Sequence, residues 1–150
     1  MIRTRTGYLV DAVTSERLAF PYNPEAITDH QDSRYASVSV VGRRYPWYQY
    51  IAGEARQVQF TLPLFKGAIQ QQVAWLKALQ DPQATEVGFW QAPHPVVLVM
   101  GQLYPGLTCI LKQVNVRYFS LFNPQTLAPE RATVDLVLEE TEHVSRTESL

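Results

Sequence analysis

The sharpest periodicity in the chain is QVQFTLPLF, where Val58, Phe60, Leu62 and Leu64 fall on one face and Gln57, Gln59 and Thr61 on the other. A period of two is that of an extended strand with one buried face. Pro63 sits near its end on the outward face, a position tolerated at a sheet edge or strand terminus because proline brings no amide to a ladder. The period then changes. In AIQQQVAWLKALQD, Ile69, Val73, Leu76 and Leu79 or Gln80 approximate one helical stripe with glutamines opposite, and Asp81 and Pro82 stop it. This predicts one helix over about residues 68–81, roughly four turns at 3.6 residues each.

The remaining pattern is strand and turn. GYLVDAV holds a short alternating segment around Tyr8 and Val10, followed by a polar turn at Thr14, Ser15 and Glu16 and a second short strand through Leu18 and Phe20. Pro21, Asn23 and Pro24 end it, since proline withholds an amide and pushes its neighbour out of helical space. DHQDSRY reads as a polar loop, and YASVSVV as an alternating strand bounded by Gly42. GRRYPWYQYIAG, residues 42–53, suits an exposed, ordered excursion more than a core strand.

Further strands are expected in EVGFWQ, PVVLVMGQLY, LTCILKQVNVRYFSLF and RATVDLVLEETE; in the last, Val134, Leu136 and Leu138 point inward while Asp135 and Glu139 point out. Several short, mostly hairpin-linked strands with one helix predict an α+β domain, mainly antiparallel: a β-barrel or sandwich with one packed helix. That pattern excludes a doubly wound nucleotide-binding fold. Residues 1–150 form one expected domain, with 143–150 either a flexible tail or an arm docked on a partner.

Composition narrows the class. At 150 residues, 46% apolar and 18% charged, the chain can bury a core without disulfide or metal. A net charge of −1 gives no electrostatic drive toward phosphate backbones, so no nucleic-acid partner is expected. Cys109 is the sole cysteine, which precludes an internal disulfide. The longest apolar run, PVVLVMG, is far short of the ~20 residues that span a bilayer. With no signal peptide pattern, the expectation is a soluble, cytoplasmically made protein with no membrane partner.

Candidate chemistry is sparse. His30, His94 and His143 lie in three separate loop or tail contexts without metal-ligand spacing, so solvent-exposed loop histidines are expected. TDHQDS contains the residue types of a hydrolytic triad, but triad members converge from separate elements, so a turn with local side-chain to backbone bonds fits better. Cys109, in the alternating LTCILK, reads as a small buried hydrophobe. Glu139, Glu140 and Glu142 read as a solvated face. There is no phosphate-cradling glycine motif. No catalytic, cofactor-binding or metal-binding residue is assigned, and an enzyme such as a small hydrolase would need His30 or Cys109 to meet partners the pattern does not identify.

One constellation is unusual. Arg43, Arg44, Tyr45, Trp47, Tyr48 and Tyr50 crowd into GRRYPWYQYIAGE. These residue types dominate protein interface anchors, because they bury large areas at modest entropic cost. The same residues could instead cap an open core, or serve a stand-alone module that stacks a sugar or single-stranded nucleic acid.

The order of elements adds a resemblance. RLAFPYNPEAI supplies an F-x-x-N-P turn, then come a loop, GEARQVQFTLPLF, a helix, and PVVLVMG followed by GLTCILKQVNVRYFSLFNPQTLAPERATVDLVLEE. This resembles the tail-tube-like baseplate and tube-adaptor proteins of contractile-tailed phages and contractile injection systems. The family's closing pattern maps onto Tyr118, Phe119, Phe122, Pro129, Arg131, Ala132 and Glu139, and the likeness spans most of residues 8–142. Many relatives carry a LysM module after the tube-like part; this chain ends at Leu150, which leaves no room for one. The resemblance implies a structural protein of the virion tail, assembled in the host cytoplasm, in a six- or three-fold ring with tube, hub, sheath-side or wedge subunits as partners. Arg43, Arg44, Tyr45, Trp47, Tyr48 and Tyr50 are then the expected inter-subunit contacts, with residues 117–140, including Arg117 and Phe122, as a second surface.

Overall fold

The computed structural model describes residues 6–65, 69–84, 90–119 and 124–142. Its strands are β1 (Tyr8–Asp11), β2 (Arg17–Ala19), β3 (Ile27–His30), β4 (Ser33–Val38), β5 (Trp47–Gly53), β6 (Gln57–Phe65), β7 (Gln83–Ala84), β8 (Trp90–Gln91), β9 (Val96–Met100), β10 (Tyr104–Tyr118) and β11 (Arg131–Glu140). The single helix among the described residues, α1 (Ile69–Ala78), follows β6. Seven strands form one sheet in the order β2-β1-β9-β10-β11-β6-β3, every pair antiparallel. The remaining strands form two separate pairs, β4 with β5 and β7 with β8.

The mainly antiparallel α+β expectation holds, and the barrel does not close. Edge strands β2 and β3 are not paired with each other. The sheet nevertheless curls: Phe20, just past β2, lies 5.7 Å from Phe60 on β6, and the Tyr104 hydroxyl at the start of β10 reaches Asp29 on β3. Curling lets a single helix cover the apolar face. Ile69, Val73, Leu76 and Leu79 of the helical stripe are all buried against it.

Ladder register explains the core. Leu18, Leu9, Leu98 and Leu107 form one buried row across four strands. Toward the other edge of the sheet, Leu138 opposite Leu111, Leu136 opposite Phe60 and Val134 opposite Leu62 extend the same buried face. The alternation of β6 and β11 is therefore the pattern of two adjacent strands sharing one buried face. β1 faces the other way from the emphasis on Tyr8 and Val10: Leu9 and Asp11 are the buried pair. Pro63 lies past Phe60, the last residue of β6 that β3 pairs, where the strand has one neighbour.

β10 carries a bulge at Lys112, since Leu111 pairs with Leu138 and Gln113 with Val137. An inserted residue reverses the alternation. Cys109 and Leu111 are buried before it, and Val114 and Val116 turn toward the core after it. The bulge carbonyl accepts a 2.8 Å bond from Gln80 Nε2, tying the end of the helix to the sheet. Trp75 Nε1 donates to Glu16 at 3.1 Å and ties the helix to the β1–β2 turn.

Candidate interaction surface

The end of the segment read as a polar loop, the alternating strand YASVSVV and the excursion form a hairpin standing apart from the core. β4 and β5 pair with each other alone, and nearly every residue of both is exposed. Their sequence dictates this, because neither strand carries an apolar face continuous with the sheet. Gly42, at φ 85°, supplies a left-handed position in the connecting loop that side-chain-bearing residues rarely adopt.

Aromatic side chains cover both faces. On one, Tyr35 packs edge-on against Tyr50 at 5.4 Å and Tyr48 at 6.4 Å between ring centroids. On the other, Trp47 sits opposite Val38. Arg43 lies 4.9 Å over the Trp47 ring and Arg44 5.8 Å over Tyr45. Trp47 keeps 60% and Tyr48 68% of its surface exposed, so these rings do not cap the core. A bulge at Ile51 shifts the register near the base. There Asp32 O accepts from Glu54 N at 2.9 Å and Arg34 pairs with Glu54 at 3.2 Å, closing the foot of the ribbon.

Beneath the foot lies a polar cluster. Asp29 accepts from Arg56 Nε at 2.8 and 2.9 Å and from the Tyr104 hydroxyl at 2.7 Å, with the Arg56 guanidinium 5.4 Å from the Tyr104 ring. The Arg56 and Tyr104 bonds hold the Asp29 carboxyl down at about 2, and the Asp29 carboxylate raises Arg56 further. Burial, then the bond to Asp29, raises the Tyr104 phenol. This replaces the expected turn with local backbone bonds: Asp29 is bound by residues 27 and 75 positions away. His30 pairs with Asp32 at 2.9 Å.

His94 is likewise not a solvated loop histidine. Its Nδ1 donates to Asp11 at 3.0 Å, while Asp11 also accepts from Val13 N at 2.8 Å and Thr14 N at 3.2 Å. Burial alone raises the Asp11 carboxyl, but these bonds outweigh it and leave it below its ordinary value. This is a structural latch closing the β1–β2 turn onto the segment before β9. Cys109 is fully buried and its thiol is pushed up to about 12 by desolvation, opposite to an activated nucleophile. Among the described residues, no three His, Cys, Asp or Glu side chains converge as a metal set would; His143 lies outside them.

No family model matches the chain, and no curated protein does. Among solved structures it is similar to a chain from the tail of an empty GTA particle refined with C6 symmetry, at 7% identity over 92% of this chain and 91% of that one, with a TM-score of 0.49. It is also similar to a chain from the six-fold symmetrised baseplate of the anti-feeding prophage, at 6% identity over 95% and 92%, with a TM-score of 0.45. Neither likeness assigns this chain a partner or a role.

Arg43, Arg44, Tyr45, Trp47, Tyr48 and Tyr50 thus share one ribbon, as their spacing predicts. Arg117 is elsewhere, on the outward face of β10 with its guanidinium 5.7 Å from the Phe119 ring. Phe122 lies outside the described residues, as do 143–150. The sequence pattern misses Tyr35, a full member of the tyrosine cluster that sits in a stretch otherwise polar. Its signal is the one aromatic in SRYASV, which pairs across the hairpin with Tyr50.

Proposed function

We propose that this chain is a structural, non-enzymatic component of a phage tail or baseplate, a single tail-tube-like domain acting as an adaptor in a ring around the tail axis. The residue pattern running from Phe20 through Glu139 supports the family, and one structural observation carries the role: the β4–β5 ribbon displays aromatic residues on both faces and packs neither on the core. A two-stranded hairpin is at best marginally stable alone in water, so a ribbon with two apolar faces is stabilised by being covered on both. A cyclic assembly supplies this, because each subunit meets a different surface of a neighbour on either side.

The size is adequate. Tyr35, Trp47, Tyr48 and Tyr50 each keep more than half of their surface exposed. At ~150–250 Å² per aromatic side chain, they offer about 450 Å², more than half of the ~800 Å² each partner contributes to a standard interface. Tube, hub, sheath-side or wedge subunits and further copies of the chain are the partners of this reading, and the virion tail its location.

Multi-angle light scattering on the purified chain, alone and mixed with tail-tube or hub proteins, tests it. A discrete ring or a stoichiometric complex is the expected result. A monomer in every mixture contradicts it, as does capture of single-stranded DNA that weakens steeply with salt.

A further inference from the structure

The second half of β10 has an edge that the rest of the sheet leaves open. β9 pairs with β10 only as far as Cys109, opposite Val96. The chain before Val96 does not continue that ladder. Pro93 and Pro95 bring no amide, Pro95 O accepts from Ala12 N at 3.0 Å, and His94 is bonded to Asp11, so this segment is held toward β1. β10 nevertheless runs on to Tyr118 with β11 on one side alone, and Gln113–Tyr118 is exposed or half-buried throughout. Phe119 N donates to Arg131 O at 3.1 Å. Bonding alternates along an antiparallel pair, so Arg117, Asn115 and Gln113 also direct their N–H and C=O groups to β11. Those of Val114, Val116 and Tyr118 point the other way, where no described strand pairs with them.

Such an edge takes a strand, and the sequences of the free edges select which one. Exposed edges are kept from pairing by charge or proline. Among the described strands of three residues or more, β2 carries Arg17, β3 carries Asp29 and His30, β4 carries Arg34, and the half of β6 beyond Phe60 holds Pro63. β5, WYQYIAG, has neither charge nor proline, and β4 is its one partner among the described strands. Its seven residues match the six of Gln113–Tyr118 in length. The ribbon leaves the sheet at the row of His30, Gln57 and Glu139, whereas β10 ends at the row of Tyr118, Ala132 and Leu64. From Gln57 to Leu64 is ~23 Å at 3.3–3.4 Å per residue. A protruding strand at one end and a receiving edge toward the other is the arrangement that joins copies head to tail.

We propose that the open edge of β10, Gln113–Tyr118, receives strand β5 of a second copy of this chain, so that the sheet continues across the subunit boundary. The inference rests on the reading of the ribbon as an assembly element and names the surface that accepts it. Pairing satisfies the outward N–H and C=O groups of Val114, Val116 and Tyr118. It also sets the ribbon's aromatic rings beside Val114 and Val116, half-buried at the margin of the core, and aromatic–β-branched neighbours of this kind stabilise sheets. The ribbon aromatics offer about 450 Å², more than half of one partner's share of a standard interface, and the main-chain pairing adds to it.

Amide hydrogen exchange, read residue by residue by mass spectrometry, tests this on the intact chain diluted to monomer and concentrated to assembly, with sedimentation velocity reporting the state. In the assembly the amides of Val114, Val116 and Tyr118 and the outward amides of β5 should exchange at least about tenfold more slowly than in the monomer, while those at the β3 edge stay within about twofold. Gln49→Lys with Ile51→Lys, which puts charge on an exposed strand off the core, should weaken self-association about tenfold or more. Val116→Pro, which removes an outward donor and no bond to β11, should do the same. Thr28→Lys on the β3 edge should leave association within about twofold. Amides of Val114 and Val116 that are already slow in the monomer, or unchanged in the assembly, overturn the proposal, as does undiminished association of the lysine variant or a wild-type chain that never self-associates. Protection at β10 with none at β5 means that β10 pairs with itself, and overturns it too. Assembly that is lost in Trp47→Ala with Tyr48→Ala, yet leaves the β10 amides unprotected in wild type, ends this inference and leaves the ribbon reading standing.

Discussion

Replacing Asp29 by asparagine tests whether the cluster under the ribbon is a charge-dependent tether. The substituted amide would keep the shape and one acceptor oxygen but remove the charge that Arg56 and Tyr104 bind. The folded carboxyl lies at about 2 against an ordinary 3.8, a difference that converts to a ceiling of about 2.4 kcal/mol. The Asp29 side chain is a third exposed, so solvent screening reduces this to about 1 kcal/mol. Because the folded pKa is depressed, the contribution is complete above pH 3.8 and fades as pH falls toward 2. Urea denaturation followed by tryptophan fluorescence should put the midpoint of Asp29→Asn about 0.5 M below wild type at pH 7, for a slope of ~2 kcal/mol/M. At pH 2 the two midpoints should converge. Equal midpoints at pH 7, or a gap that persists undiminished at pH 2, would refute the charge argument.

Three further outcomes are expected. Leu136→Ala, deleting a fully buried side chain that faces Phe60, should cost about 2–5 kcal/mol in denaturant unfolding, whereas an effect below about 1 kcal/mol would mean that the core is not centred there. Cys109 should resist an aromatic disulfide reagent at pH 8 in the native protein and react fully in denaturant, given its burial and a thiol near 12; rapid native labelling would contradict both. Gly7→Ala should destabilise by about 1–3 kcal/mol, because a Cβ there would meet Met100 Sδ at 2.1 Å and Val99 O at 3.0 Å; an unchanged thermal midpoint would show that Met100 moves aside freely.

Legibility tracks burial. β6, β11 and α1 are readable because each has one buried face, and a buried face imposes a period. The β10 bulge leaves a trace too, in LTCILKQVNV, where apolar positions shift from odd to even numbers around Lys112. β3 leaves none, because Thr28, Asp29 and His30 are exposed and nothing constrains their alternation; β4 is legible in part, in the alternation of YASVSVV, but its first two residues fall in the polar DHQDSRY. The partners of Asp29 and His94 are hidden because they come from 75 and 83 residues away, and a single chain's local pattern carries no signal at that range. The choice between barrel and sandwich is not legible for a related reason. Strand composition reveals an apolar face, but not whether strands as short as β2 and β3 meet at their edges.

Sedimentation velocity on wild type and on Trp47→Ala combined with Tyr48→Ala addresses the ribbon most directly. Both rings are mostly exposed and off the core, so the variant should unfold within about 1 kcal/mol of wild type while the ring or tail-protein complex formed by wild type dissociates to monomer. Wild-type protein that stays monomeric with every tail protein offered, or a variant that assembles as tightly as wild type, would contradict the account.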